Sequence, residues 1–260
     1  MKKLVSTLVV MILPIMASAD DSGTCGNGVT YSFVESTQTL SISGSGAISD
    51  YNNVDAPWHE YSHKIVRILI GEGITSIGKH AFINCKNLNS VTIPNTVSLI
   101  GFESFYGCSS LASIDLPNSI ENIDENAFAS SGLTSIIIPS GVTSIKTNTF
   151  SCCTNLNSVT IPYGVISIGD RAFDSCENLP TINIPSSVTS IGESAFQFCH
   201  RMTWAVMRLR VPRLRGRPLR PRDWSCDWSN VTGQTSCIQF SSVFLSCFVF
   251  FSYLCQQKEN

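Results

Sequence analysis

His59-Glu60-Tyr61-Ser62-His63 is the stretch of this 260-residue chain whose residue types and spacing match a catalytic arrangement. In the pattern His-Glu-x-x-His, two imidazoles at i and i+4 share one face of a helix and can grip zinc. The Glu between them then takes a proton from the bound water. That chemistry would make a zinc-dependent hydrolase, with His59 and His63 as ligands and Glu60 as base. The surrounding sequence gives it little support. The Gly and His of the extended zincin signature do not follow, and the nearest further ligands, Glu72 and His80, have no matching spacing. Only a short helix is expected there, and a pattern with three fixed positions is weak evidence by itself. The sequence calls for no metal or other cofactor, and zinc hydrolysis stands as the alternative to a non-catalytic protein.

Two other groups could do chemistry. Seven arginines, at 208, 210, 213, 215, 217, 220 and 222, are interleaved with Pro and Leu. Such a run can bind phosphate or nucleic acid. It can also be a basic linker, or the product of a reading-frame shift. The rest of the chain argues against a nucleic-acid binder. Residues 20–200 carry 16 acidic and 6 basic side chains, whereas counterion replacement on nucleic acid needs a basic face. The second group is the 11 cysteines. Five of them, Cys85, Cys108, Cys153, Cys176 and Cys199, each lie three residues after a Phe and so form a column of a repeat. Neighbours in such a column could come within bonding range, but disulfide geometry is demanding. Buried thiols behave as small apolar residues, and unpaired core cysteines are the favoured reading. Cys25 and Cys152 fall outside the column and stay open to pairing.

The ends of the chain differ from its middle. Residues 1–19 read as a secretory signal peptide: Lys2-Lys3, an apolar run over Leu4 to Met16, and the small-residue site Ala17-Ser18-Ala19. The run is short for a membrane span. Export makes disulfides possible without requiring them. Residues 201–260 form an Arg-rich and then apolar tail. The repeat period stops abruptly after Cys199, which favours the frame shift as its origin. Ile238 to Cys255 is an uncharged stretch of marginal length for a membrane anchor. With the arginines outside and Lys258 inside, it would oppose the positive-inside tendency.

The elements that must position any site come from a repeat. Phe recurs at 82, 105, 128, 150, 173 and 196, in steps of 23, 23, 22, 23 and 23. Ile93-Pro94, Leu116-Pro117, Ile138-Pro139, Ile161-Pro162 and Ile184-Pro185 keep the same period. A period of this size signals a solenoid, in which one unit cannot bury its own apolar face and stacking buries a continuous core. Each unit opens on a Leu (88, 111, 133, 156, 179) and continues into a short strand. Its inward residues are Val91/Ile93, Ile114/Leu116, Ile136/Ile138, Val159/Ile161 and Ile182/Ile184. The Pro lacks an N–H and ends the pairing. A second apolar pair, such as Val165/Ile168, then precedes the Phe. About six rungs at ~4.8 Å per step predict a body roughly 30 Å long. The 22-residue step falls between Phe128 and Leu133, which predicts a shortened turn.

Residues 20–64 read as an N-terminal cap, because the open end of a solenoid needs an atypical terminal unit. Val29-Tyr31-Phe33 and Leu40-Ile42 alternate like antiparallel strands. Asp55-Ala56-Pro57-Trp58 reads as the start of a helical turn that Asp55 could cap. Residues 65–200 hold the repeats, with Ile65 to Phe82 as a degenerate first rung.

The outward strand positions are where binding would reside. They are Ser90/Thr92, Ser113/Asp115, Ser135/Ile137, Ser158/Thr160 and Thr181/Asn183. Ser and Thr suit any solvated strand face, so no single one of them argues for function. A continuous polar ribbon on a solenoid is nevertheless the kind of extended surface these architectures present to ligands. The candidate binding residues are Thr92, Asp115, Ile137, Thr160 and Asn183.

The unit Leu-x-Ser-Val-Thr-Ile-Pro-x-x-Val-x-x-Ile-Gly-x-x-Ala-Phe-x-x-Cys, as in Leu156 to Cys176, resembles the BspA-type leucine-rich repeat. Cys25-Gly26, Leu40 to Ala47 and Pro57-Trp58 resemble the cap common in that family, so the likeness runs from about Cys25 to Cys199. The resemblance implies a right-handed leucine-rich-repeat solenoid with short parallel strands, secreted or at the cell surface. It implies adhesion to host, matrix or cell-surface protein or glycan, and no catalytic residues. The expectation is therefore an exported, non-catalytic binding protein with no nucleic-acid partner, and with a membrane partner only if 238–255 is an anchor. A truncated or frame-shifted member without intact function is a further alternative.

Overall fold

A computed structural model describes residues 20–202. The signal peptide expected at 1–19, the arginine run and the apolar stretch at 238–255 lie outside the described residues. Among the described residues no helix is long and apolar enough to cross a membrane.

The chain opens on two hairpin strands, β1 (Asp21–Gly26) and β2 (Val29–Val34), and a third, β3 (Thr39–Gly44). β2 pairs antiparallel with both, and the alternation reads as expected: Val29, Tyr31, Phe33, Leu40 and Ile42 are buried. A short strand β4 (Gly46–Ala47) follows. The repeats then contribute two kinds of strand. The first rung gives β5 (Arg67–Ile70) and β6 (Ile74–Ile77), and the second β7 (Ser90–Thr92) and β8 (Leu99–Ile100). The later rungs give β9 (Asn122–Ile123), β10 (Ser135–Ile137), β11 (Ser144–Ile145), β12 (Ser158–Thr160), β13 (Ser167–Ile168) and β14 (Ser190–Ile191).

The cap is part of the solenoid sheet. β3 pairs in parallel with β5, and β5 with β7, giving the order β1-β2-β3-β5-β7. The first rung therefore meets a paired edge, which removes the open template that a bare solenoid end would expose. The second ladder runs β4-β6-β8-β9 in parallel and resumes as β11-β13-β14.

Both ladders are interrupted in the same part of the stack. Ser113-Ile114-Asp115 forms no strand, so the first ladder stops at β7 and restarts with β10-β12. The expected strand is absent at this rung, and in the last rung Thr181-Ile182-Asn183 makes only an isolated bridge from Asn183 to Thr160. The second ladder stops at β9 and restarts at β11. The shortened turn lies between these rungs and changes their register by one residue. The rungs at the break also carry Asp124 and Lys146 where others carry the glycines Gly101, Gly169 and Gly192. A Cβ at Gly101 or Gly169 would stand 2.7 Å from backbone of the rung before. Close stacking there needs glycine. At the break an ion pair, Lys146 Nζ to Asp124 Oδ1 at 2.5 Å, joins the two rungs instead.

The core is continuous across the break. Phe82, Phe105, Phe128, Phe150, Phe173 and Phe196 stack with ring centroids 5.4–5.6 Å apart. Five such steps make a column of roughly 27 Å, close to the expected length. The Leu, Val and Ile columns are buried with it; Val91, Ile93, Leu116 and Ile191 are half-buried against the core.

The Phe side carries a third ladder that strand and helix periodicity do not encode. Alternate N–H groups donate to the next rung: His80 to Phe102, Phe82 to Ser104 and Asn84 to Tyr106, and likewise at each later rung. Two residues per rung adopt left-handed backbone to aim these groups, as at Glu103/Gly107, Asn126/Ser130, Asn148/Cys152 and Arg171/Ser175. A left-handed non-glycine residue costs on the order of 1 kcal/mol. The inter-rung hydrogen bonds offset that cost.

Candidate functional site

The zinc pattern falls on residues 59–64, which form a 3-10 turn with a non-helical Tyr61 inside it. With three residues per turn, side chains at i and i+4 point about 120° apart. His59 and His63 therefore stand on a kinked 3-10 turn and not on the regular α-helix that the zinc pattern presumes. Asp55 does not cap this turn either: its carboxylate accepts from Asn52 Nδ2 at 2.6 Å, and the N-cap residue is Trp58. The segment has a packing role. Trp58 is buried and stacks on Phe82 at 5.6 Å, and its Nε1–H donates to Ala81 O at 2.7 Å. Tyr61 stacks on Phe33 at 4.5 Å and donates to Asp21, which also accepts from Tyr31. Trp58 thus occupies the place of a preceding Phe and closes the aromatic column. Among the described residues, no group of three His, Cys, Asp or Glu is placed to hold a metal.

The remaining titratable groups are structural in their contacts. His80 is buried, with Nδ1 2.9 Å from Tyr51 O and Nε2 3.1 Å from Glu103 Oε2. A carbonyl only accepts, so Nδ1 carries a proton. His80 ties the cap to the second rung. Cys25, Cys85, Cys108, Cys152, Cys153 and Cys176 are free thiols, and of these only Cys152 is exposed. The column cysteines do more than fill space. Cys108, Cys153, Cys176 and Cys199 donate to the carbonyls of Phe82, Phe128, Phe150 and Phe173, one rung back, at 3.1–3.3 Å. Ser131 takes this place in the shortened rung, and its Oγ lies 3.3 Å from Cys153 Sγ. Burial pushes the Cys85 thiol up to about 12 and Cys153 to about 11. Such thiols are poor nucleophiles.

The outward strand face is arranged in register. Ile137, Thr160 and Asn183 lie side by side, and so do Leu69 and Thr92. Asp115, on the rung without a strand, is exposed between these two groups. Thr92, Ile137 and Thr160 are exposed, and Ile137 keeps 70% of its surface accessible. The row also extends into the cap, through Ser22, Ser32 and Ser41 to Leu69. Sequence reasoning missed that extension, although the Ser-x-Ser alternation of Leu40 to Ser43 carries the signal. It also missed Tyr163 and Ile166, which are 74% and 51% exposed beside the strand face.

Parallel strands stacked at a fixed 22–23-residue period over a Leu, Ile, Val and Phe core define a leucine-rich-repeat solenoid. The chain belongs to the BspA-type leucine-rich repeat family: the model of the BspA type leucine rich repeat region matches six copies over residues 61–203, more than half the chain. Among solved structures, it is similar to a leucine-rich repeat protein from Bacteroides ovatus at 27% identity and a TM-score of 0.55. That match covers 68% of this chain and 51% of the other. It is also similar to a leucine rich cell surface protein from Faecalibacterium prausnitzii at 28% identity and a TM-score of 0.55, over 72% of this chain and 54% of the other. The chain thus matches about half the length of each of these proteins. No curated protein matches it.

Proposed function

We propose that this chain is an exported, non-catalytic binding protein that presents its outward strand face to a protein or glycan on a cell or in the surrounding matrix. The observation that carries the reading is the in-register row Ile137, Thr160 and Asn183, continued by Leu69 and Thr92. The repeating residues serve packing, whereas Leu69, Thr92, Ile137 and Thr160 are exposed on the outward face. Similarity to a protein described as a leucine rich cell surface protein supports a place outside the cell, as does the secretory pattern at 1–19. The distorted turn at 59–64 supports the absence of catalysis by the His-Glu-x-x-His pattern.

The test is binding of the purified chain to whole cells and to immobilised matrix proteins. Replacing Thr92, Asp115, Ile137, Thr160 and Asn183 together by Ala should abolish binding while the circular dichroism spectrum stays unchanged. Binding that survives these changes places the contact elsewhere.

A further inference from the structure

Three exposed columns run along the solenoid outside the core. The outer strand column reads Leu69, Thr92, Asp115, Ile137, Thr160, Asn183. The column after the Pro reads Asn95, Asn118, Ser140, Tyr163, Ser186. The column inside the second apolar pair reads Thr75, Ser98, Glu121, Thr143, Ile166, Thr189. Polar residues dominate all three. The large apolar exceptions are Leu69, Ile137, Tyr163 and Ile166, and only Leu69 stands apart, at 39% exposed. The other three are 70%, 74% and 51% exposed and fall on two consecutive rungs. Ile137 pairs in register with Thr160; Tyr163 and Ile166 follow Thr160 on the same rung. Packing does not require these side chains, because the same columns hold Thr, Asn and Ser elsewhere.

Charge marks the same region. From Ser90 to Ile191 the only cations are Lys146 and Arg171, and both lie outside these columns. Lys146 is paired with Asp124. The rung before Ile137 adds Asp115 and Glu121, both exposed, to two of the three columns. Exposed apolar side chains on two consecutive rungs, with exposed carboxylates on the rung before, fit a partner that brings apolar anchors and Lys or Arg beside them. Two isoleucines offer a sugar no hydrogen bond, which favours a polypeptide over a glycan.

We propose that Ile137, Tyr163 and Ile166 form a docking site for a cationic protein segment carrying aliphatic or aromatic side chains, with Asp115 and Glu121 steering its charge. This rests on the binding role proposed above and assigns it a place and a partner chemistry. Selection of a random displayed peptide library on the full chain tests it. Wild-type protein should enrich peptides that combine Lys or Arg with large apolar residues. The variant Ile137→Thr, Tyr163→Asn, Ile166→Thr uses residue types that the same columns already hold, so its fold is preserved. It should bind the enriched peptides about tenfold or more weakly, as expected for loss of hot-spot side chains. Asp115→Asn with Glu121→Gln should weaken binding and flatten its salt dependence. The proposal is overturned if nothing is enriched, if the peptides are neutral or acidic, or if the triple variant binds them as well as wild type. It is also overturned if the triple change abolishes only glycan binding, or only self-association seen by sedimentation. Should the triple variant keep full binding to cells or matrix protein, the patch fails while the adhesive role stands. Should the wild-type chain bind neither cells, matrix protein nor peptides, both fail.

Discussion

Among the described residues, one buried side-chain polar atom lacks a hydrogen-bond partner, the Oγ of Ser104. Ser104 precedes Phe105 in a column otherwise filled by Ala81, Ala127, Thr149, Ala172 and Ala195. Thr149 donates to Lys146 O at 2.8 Å, but the buried Oγ of Ser104 has no partner. An unsatisfied buried hydroxyl costs on the order of 1–3 kcal/mol. Ser104→Ala should therefore raise stability by about 1 kcal/mol, read as a higher urea midpoint at unchanged slope; a lower midpoint would show that the hydroxyl is bonded after all. The column thiols predict a pH effect. Cys85 and Cys153 ionise near the ordinary value of 9.0 when unfolded, but burial raises them to about 12 and about 11 in the fold. The unfolded state thus loses protons first as pH rises. The stability due to the neutral thiols is complete below about pH 9 and is lost as pH climbs through their folded values. Each thiol should contribute about 1.4 kcal/mol of loss per pH unit within its window. Tyr51 and Tyr61, raised chiefly by burial, add to the loss from about pH 10 upward. Urea midpoints should fall over this range, and less steeply in a Cys85→Ala, Cys153→Ala variant. Equal slopes for the two proteins would rule out the thiols as the cause.

At the scale of elements, the decisive one is the short turn that carries Trp58. It forms no regular helix, yet it delivers one indole to the end of the Phe column and one hydrogen bond to Ala81. Trp58→Phe should keep the stacking and lose the hydrogen bond, at a cost of about 0.5–1.5 kcal/mol. Trp58→Ala should cost about 3–5 kcal/mol, because it opens a cavity at the junction of cap and first rung. Chemical denaturation of both variants checks the order, and equal losses would mean that the ring does not close the column. Elsewhere the elements are very short. β8, β9, β11, β13 and β14 hold two residues each, too few to be stable outside the stack. Their pairing follows from the rungs being held in place by the Phe and Leu columns.

For the whole molecule, the notable property is that the ladders break while the aromatic column does not. Phe105, Phe128 and Phe150 stack with planes 2° apart through the very rungs where strand pairing is interrupted. Continuity there rests on the core and on the Phe-side hydrogen bonds, such as Phe105 to Ala127 and Phe128 to Thr149. Phe128→Ala removes a ring from the centre of that bridge and should cost about 3–5 kcal/mol. The unfolding transition should also broaden or split, since nearest-neighbour coupling is what makes a solenoid cooperative. A single sharp transition with a near-neutral midpoint would mean that the two halves are coupled by other contacts.

Much of this architecture was legible in the chain alone. A period of 22–23 residues, an apolar pair on either side of each Pro and a recurring Phe dictate stacked rungs, because no rung can bury its own apolar face. The inward residues and the cysteine column followed from the same period. The candidate face was legible only as a set of positions exempt from packing; what those positions bind is not encoded in a repeat whose regularity serves the core. Three things needed the tertiary structure. Whether His59 and His63 face one way depended on the local backbone, which packing of Trp58 and Tyr61 bends into a 3-10 turn. Left-handed residues such as Glu103 and Arg171 have no composition signal, because inter-rung hydrogen bonds select that backbone. Ile137 stands beside Thr160, on the rung that also carries Tyr163 and Ile166, because stacking brings residues a full period apart onto adjacent rungs, a nearness that exists only once the chain is wound.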